Sequence, residues 1–228
     1  MKDIYLFKSS LFRQMLDPAV DVAEMDPRKA HISQIFPAEQ AIVARSVTAR
    51  QQEFAAGRIL ARKLLGDRGF LGPLHKTSAG PPAWPKGLTG SITHCLELAA
   101  VAVVSTKLFS GIGLDVEVRK PLDATLHDVI LPHARERALA ALDPDNGLWM
   151  FCAKEAAYKS VFSVINRPMG FEDLLIESED NGKAFAAIFR IDIGLCRRGD
   201  VIYGKKHSTD RLIATVATMP PNACTERL

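Results

Sequence analysis

The stretch of residues 112–118 alternates strictly between apolar side chains and other residues. Such a period of two is typical of a β-strand with one face in a core. The opposite face then carries Asp115 and Glu117 side by side, with Gly113 leaving room next to them. Two like charges held this close repel each other, which raises the pKa of one carboxyl unless a cation lies between them. Mg²⁺ suits such a pair, because it takes one or two carboxylates together with waters and phosphate oxygens.

A second informative stretch, residues 149–159, contains no helix breaker and is rich in residues that favour a helix. Lys154, Glu155, Tyr158 and Lys159 cluster within little more than one turn. Glu155 and Lys159 form an i,i+4 pair. A third carboxylate and two cations next to the first pair would fit a metal-bound substrate that carries phosphate. The alternative is a solvated strand edge and a surface helix with an ordinary ion pair, which are both common.

Composition places the chain among globular proteins and excludes several classes. Its 228 residues are 47% hydrophobic, and no run approaches the roughly 18 apolar residues that a membrane span needs. The N-terminus has no extended apolar region, so no signal peptide is expected. The four cysteines form no CxxC pair and indicate reduced thiols in a cytoplasmic protein. A net charge of +3 is too small to imply nucleic acid as a partner.

The N-terminal half contains candidate phosphate contacts. A helix is predicted from Pro37, and a second one over residues 47–65 carries Arg50 and Arg58 two turns apart. This arginine pair could clamp a phosphate or could belong to a solvated helix face. His94 follows a short strand whose Thr93 hydroxyl lies nearby, although a lone histidine is more often structural. The Gly- and Pro-rich stretch 66–90 is predicted to be a long loop, and residues 99–105 a buried strand.

The C-terminal half repeats this order of helices followed by strands. A short helix over 133–142 bears Glu136, residues 143–147 form a turn, and the helix of Lys154 ends near Asn166. Strands are predicted over 174–178, 183–189, 201–205 and 211–218, with Asn181-Gly182 as a hairpin turn and a frayed tail after Pro221. The sequence therefore predicts an α+β fold of two lobes, residues 1–106 and 107–228, with a cleft between them.

Four motifs occur together in the chain. They are Arg50-x-x-Glu-Phe-x-x-Gly-Arg58-x-x-Ala-Arg62, Pro82-x-Trp84-Pro85-x-Gly87-x-x-Gly90-Ser-Ile-Thr-His-Cys95, Ile112-Gly-Leu-Asp115-x-Glu117 and Trp149-x-x-x-x-Lys154-Glu155-x-x-x-Lys159. In order and spacing they resemble the 4′-phosphopantetheinyl transferases of the surfactin- and enterobactin-synthetase type. The motifs around Arg50 and Gly90 are closer to the enterobactin branch.

This resemblance implies a pseudo-twofold pair of α+β lobes in a monomer, with coenzyme A bound in the cleft. It implies Mg²⁺-dependent transfer of the 4′-phosphopantetheine arm to a serine of an apo carrier protein, with release of 3′,5′-ADP. The carrier could serve nonribosomal peptide, polyketide or fatty-acid synthesis, and the enterobactin branch points to siderophores.

The resemblance also assigns residues. Asp115, Glu117 and Glu155 match the metal ligands, and Lys159 matches the lysine on the diphosphate. Arg50, Arg58, His94 and Thr93 match the surroundings of the 3′-phosphate, Lys76 and Lys154 are further coenzyme contacts, and Glu136 matches an acidic position whose role stays open. Glu155, directly or through a metal-bound water, is the candidate base, and Asp115 and Lys159 complete the predicted catalytic set.

Two other functions compete with this hypothesis. A Mg²⁺-dependent phosphotransferase or hydrolase acting on another nucleotide would ordinarily carry its own phosphate loop, and GxxxxGK[ST] is absent from the sequence. A non-catalytic module that binds coenzyme A or a carrier would be expected to have lost a metal carboxylate. Asp115, Glu117 and Glu155 are all present, which favours an active enzyme.

Overall fold

Two antiparallel sheets organise the described part of the chain. The structure is a computed structural model and describes residues 10–77 and 80–221. The first sheet contains β1 (Asp21–Met25), β2 (Leu88–His94) and β3 (Ala99–Ser105) in the order β1-β3-β2. The second contains β4 (Gly111–Val118), β5 (Leu174–Glu179), β6 (Ala184–Phe189), β7 (Val201–Ser208) and β8 (Leu212–Met219) in the order β4-β8-β7-β6-β5.

A long helix packs on each sheet. The α-helices are α1 (Pro37–Val43), α2 (Thr48–Gly66), α3 (His127–Ile130), α4 (Ala134–Ala140) and α5 (Pro144–Ile165), and short 3₁₀ helices cover Pro27–Lys29, Ile32–Gln34, Ala124–Leu126, Phe171–Asp173 and Asp180–Gly182. The Asp143 side chain caps α5 by accepting a hydrogen bond from the Asp145 backbone N–H. Asn166, in the left-handed region at φ 48°, ends the helix. The turn predicted over 143–147 was therefore wrong, because the Asp-Pro pair begins a helix.

The alternating strand of the sequence is β4, and both of its faces are covered. Ile112, Leu114 and Val116 are fully buried in a cluster that fills the space between the two sheets. The other face lies under α5. A Cβ added to Gly113 would stand 1.8 Å from the Ala156 carbonyl oxygen. Gly113 thus makes room for the α5 backbone, which brings that helix close to the two carboxylates.

The α+β class is confirmed, while the boundary at residue 106 and the pseudo-twofold relation stay predictions. The boundary would fall between β3 and β4, at the passage from the first sheet to the second. The hairpin at Asn181-Gly182 is confirmed, since both residues have positive φ between β5 and β6. β1 was not predicted from the sequence, and the tail after Pro221 lies outside the described residues.

Candidate active site

Asp115 is the centre of the candidate site. It lies on β4 with 5% of its surface exposed, and its Oδ1 accepts a hydrogen bond from Lys159 Nζ at 2.7 Å. The same Nζ donates to the Leu114 carbonyl oxygen at 3.1 Å, which fixes the end of the Lys159 side chain against β4. The Thr93 hydroxyl approaches Oδ1 to 3.4 Å from β2. The second carboxylate oxygen, Oδ2, is buried and has no hydrogen-bond partner among the described residues.

Glu117 and Glu155, the carboxyls next to Asp115, ionise less readily than ordinary glutamates. Burial, and after it the negative charge of Asp115, raise the pKa of Glu117 to about 7. Burial also raises the pKa of Glu155, with Asp115 adding to the shift and Lys159 opposing it. For Lys159 burial alone would lower the pKa, but Asp115 and Glu155 outweigh it and raise the pKa above the ordinary value. Lys159 thus interacts with all three acidic side chains, and Lys120 adds a further positive charge near Glu117.

The carboxylates of Asp115, Glu117 and Glu155 offer oxygen ligands for a divalent cation. Within residues 10–77 and 80–221, no three His, Cys, Asp or Glu side chains are grouped closely enough to hold one ion as they stand. However, the unpartnered Oδ2 of Asp115 and the raised pKa of Glu117 are features that a bound cation would relieve. Mg²⁺ needs only one or two protein carboxylates when waters and substrate phosphate complete its shell. Asp115 and Glu117 therefore fit the ion, and Glu155 lies close enough to influence both.

A second cluster lies where α2 meets the end of β2. Arg50 Nη1 is 2.7 Å from His94 Nε2, and His94 Nδ1 is 3.3 Å from Glu53 Oε2. Burial, and then the charges of Arg50 and Lys159, lower the pKa of His94 to about 4. The structure thus brings together two residues predicted to surround the 3′-phosphate. It adds Glu53, which belongs to the first motif, three positions after Arg50, but to which the sequence assigned no role.

Arg58 and Lys154 are almost completely buried, unlike Arg50 and Lys159. The Arg58 side chain is 4% exposed, with Nε 3.6 Å from Glu39 Oε1 and the guanidinium over the Phe54 ring. Lys154 is 1% exposed and donates to Glu136 Oε2 at 2.9 Å and to a backbone carbonyl at 2.7 Å. Each cation forms a buried ion pair, Arg58 with Glu39 and Lys154 with Glu136. Glu136, whose role was open, is the buried partner of Lys154 and accepts a hydrogen bond from the Ile176 N–H.

A cavity of about 730 Å³ lies between β2 and α5 and reaches Lys159. Trp84 and Ile92 line it on one side, and Tyr158 and Phe162 line it on the other. This volume lies within the range of about 300–1,000 Å³ that is common for small-molecule sites. Lys76 is exposed in the loop that leads to this cavity, where it forms an isolated β-bridge with Pro82.

Comparison with known proteins identifies the family. The 4′-phosphopantetheinyl transferase N-terminal domain matches residues 38–104, and the 4′-phosphopantetheinyl transferase superfamily matches residues 111–216. The chain belongs to the 4′-phosphopantetheinyl transferase superfamily. The predicted family and enzyme class are therefore confirmed, and the protein is a transferase of phosphopantetheinyl groups.

Individual relatives agree with this assignment. The chain is 36% identical over 184 residues to the 4′-phosphopantetheinyl transferase Npt of Nocardia iowensis, an alignment that covers 76% of this chain and 80% of the relative. It is 37% identical over 163 residues to the 4′-phosphopantetheinyl transferase Svp of Streptomyces mobaraensis, covering 68% and 66%. Enterobactin synthase component D of Escherichia coli O157:H7 is 36% identical over 139 residues, covering 57% and 62%. No helix in the described ranges has the length and apolarity for a membrane span.

Proposed function

We propose that this phosphopantetheinyl transferase moves the 4′-phosphopantetheine arm from coenzyme A to a serine hydroxyl of an apo carrier protein, with Mg²⁺ bound and 3′,5′-ADP released. The observation that carries the proposal is Asp115, which is paired with Lys159 and has one buried oxygen without a hydrogen-bond partner in the part of the chain that the structure describes. A site that combines acidic side chains with a cation next to an interlobe cavity suits a diphosphate donor.

The donor's diphosphate would lie between Asp115, Glu117 and Lys159. Asp115 and Glu117, with Glu155 beside them, would hold Mg²⁺, which when bound neutralises charge that develops on the phosphate oxygens. Lys159 is fixed by Asp115 and the Leu114 carbonyl, so its ammonium needs little reorganisation to meet a phosphate. Catalysis of phosphoryl transfer depends chiefly on such positioning and on electrostatic stabilisation.

Glu155 is the side chain best suited to take the proton of the carrier's serine. Burial raises its pKa above that of an ordinary glutamate, and a base works best when its pKa approaches the working pH. Such a base typically contributes about 10²–10⁴ in rate.

Coenzyme recognition and the carrier complete the proposal. Arg50 and His94 would bind the 3′-phosphate, with Thr93 nearby and Lys76 on the loop at the cavity. Arg58 and Lys154, each in a buried ion pair, would support the coenzyme site from inside the fold. The carriers are peptidyl or acyl carrier proteins, and the relative named as enterobactin synthase component D makes a siderophore pathway one candidate. Cys95 and Cys152 are buried and form no disulfide, in keeping with the reducing cytoplasm, where we propose that the protein acts as a monomer.

The test is intact-mass analysis of an apo peptidyl or acyl carrier domain incubated with the protein, coenzyme A and Mg²⁺, with EDTA in a parallel reaction. We expect a gain of one phosphopantetheine that disappears with EDTA. Asp115→Asn should lower the rate by at least about 100-fold, because it removes the charge that holds Lys159 and faces the metal. Glu177→Gln is the control, since this glutamate pairs with Arg135 at the surface.

Three outcomes would contradict parts of the proposal. Full modification in EDTA would remove the metal from the mechanism. An unchanged rate of Asp115→Asn would show that the carboxylate assignment is wrong. No modification of peptidyl or acyl carriers, with coenzyme A still bound, would favour the alternative of a non-catalytic module that binds coenzyme A or a carrier.

A further inference from the structure

The cluster of Arg50, Glu53 and His94 has a defined proton arrangement. A guanidinium only donates hydrogen bonds, so the contact of 2.7 Å between Arg50 Nη1 and His94 Nε2 requires Nε2 to be the acceptor. The imidazole is therefore neutral and carries its proton on Nδ1. Nδ1 is the nitrogen that faces Glu53, 3.3 Å from Oε2. His94 thus brings no charge of its own to this corner of the cleft.

Arg50 is the cation that the cluster presents to solvent. Its side chain is 49% exposed, whereas those of Glu53 and His94 are 16% and 24% exposed. Glu53 Oε2 also lies 3.5 Å from Arg50 Nη1, so the carboxylate contacts both partners. A long arginine side chain on a helix surface samples many rotamers, and each contact that holds it reduces the entropy lost when it binds an anion. Glu53 and His94, the two less exposed residues, therefore restrain the exposed guanidinium of Arg50.

We infer that Glu53 is a positioning residue which, through His94 and by direct contact, holds the Arg50 guanidinium in place for the 3′-phosphate of the donor. The inference rests on the proposed function, since it takes coenzyme A as the donor. It gives Glu53 a role in the choice between coenzyme A and the same molecule without the 3′-phosphate.

The sign of the effect separates this role from its main competitor. A carboxylate next to a phosphate site repels the phosphate, so removing it would strengthen binding if charge were its principal contribution. Loss of a positioning contact would instead weaken binding, because Arg50 would have to be ordered by the ligand itself. The two roles predict opposite changes in affinity for coenzyme A.

The experiment compares Glu53→Gln with the wild type, using calorimetry to measure Kd for coenzyme A and for dephospho-coenzyme A. We expect the variant to raise the Kd for coenzyme A about tenfold, the size of one lost charge-assisted hydrogen bond. The Kd for dephospho-coenzyme A should stay the same, and kcat at saturating donor should change less than about twofold. Glu97→Gln is the matched control, because Glu97 is a glutamate of similar exposure, 23%, paired with an exposed arginine, Arg211.

Testing Glu53→Gln in an Arg50→Ala background shows whether Glu53 acts through Arg50 or only stabilises the local structure. In Arg50→Ala the guanidinium is gone, so adding Glu53→Gln should cause no further loss of affinity for coenzyme A. An effect that persists in that background, or that is equal for both donors, would overturn the inference, as would tighter binding of coenzyme A by Glu53→Gln. Equal affinity of the wild type for the two donors would overturn it as well. Because these are binding measurements, failure of the transfer reaction itself would be recognised separately by intact mass.

Discussion

Asp115 and Glu117 lie two positions apart on one face of β4, but their carboxyl groups have different electrostatic surroundings. The Asp115 carboxylate has the Lys159 ammonium at 2.7 Å, while Glu117 forms no ion pair of this kind with any described residue. Burial and the negative charge of Asp115 therefore raise the pKa of Glu117 to about 7. Near neutral pH this carboxyl is balanced between its protonated form and the charged form that a cation would bind.

Glu117 should consequently make stability depend on pH. Its folded-state pKa of about 7 exceeds the ordinary value of 4.5, so the folded protein holds this proton more tightly than the unfolded chain does. The free energy of unfolding then falls as pH rises from about 4.5 to about 7, and the loss is complete above that pH. We expect Glu117→Gln to unfold at a higher temperature than the wild type at pH 8 and at a similar temperature at pH 4.5, measured by scanning calorimetry.

Two comparisons sharpen that measurement. Glu177→Gln, at the surface, should leave the unfolding temperature within a degree or two of wild type at both pH values. Mg²⁺ should stabilise the wild type more at pH 8 than at pH 5, since the ion binds the deprotonated carboxylate. Equal stability of Glu117→Gln and wild type at pH 8 would mean that the Glu117 carboxylate is not destabilised by its surroundings.

At the scale of elements, the close approach of α5 to β4 decides whether the site forms. Glu155 and Lys159 lie on α5, Asp115 lies on β4, and the missing side chain of Gly113 lets the two backbones come close. Gly113→Ala would place a Cβ 1.8 Å from the Ala156 carbonyl oxygen, so the helix must move away. Overpacking costs about 1–3 kcal/mol and occasionally more, and a backbone obstacle belongs at or above the upper end.

We expect Gly113→Ala to lose about 3 kcal/mol or more of unfolding free energy in urea, and to lose transfer activity even where it remains folded. Gly66→Ala is the matched control, because a Cβ at this last residue of α2 meets no atom within 4 Å. It should be neutral or slightly stabilising, since alanine favours a helix more than glycine does. Wild-type activity and stability in Gly113→Ala would show that α5 does not need this approach.

Elements with a strong local pattern were predictable from the sequence, and long-range partners were not. β4 follows from its alternation, and the β5–β6 hairpin from Asn181-Gly182. β1 is only five residues long and has a mixed pattern that gave no signal. Arg58 and Lys154 have helical spacing that fits a phosphate contact as well as a buried pair. Their partners Glu39 and Glu136 lie far away in sequence, so only the packed fold decides between the two.

At the scale of the whole molecule, side chains rather than a shared ladder connect the two sheets. β2 and β4 lie next to each other but in different sheets. The Ser91 hydroxyl accepts a hydrogen bond from the Leu114 N–H at 3.0 Å, and the Thr93 hydroxyl accepts one from the Val116 N–H at 3.1 Å. These bonds hold the strand that ends at His94 against the strand that carries Asp115.

The seam between the sheets can be tested with two threonines of β2. Thr93→Val keeps the shape of the side chain but leaves the buried Val116 N–H without its acceptor, which costs about 1–3 kcal/mol. Thr89→Val is the control, because the buried Thr89 hydroxyl has no hydrogen-bond partner within residues 10–77 and 80–221, and its loss should be neutral or stabilising. Urea unfolding followed by circular dichroism and tryptophan fluorescence should give one shared transition, at lower urea for Thr93→Val alone. Because the buried cluster between the sheets contains residues of both sheets, a defect at the seam should weaken the whole molecule. Two separate transitions would mean that the two lobes fold independently. Equal stability of the two variants would mean that the Thr93 hydroxyl does not join the sheets.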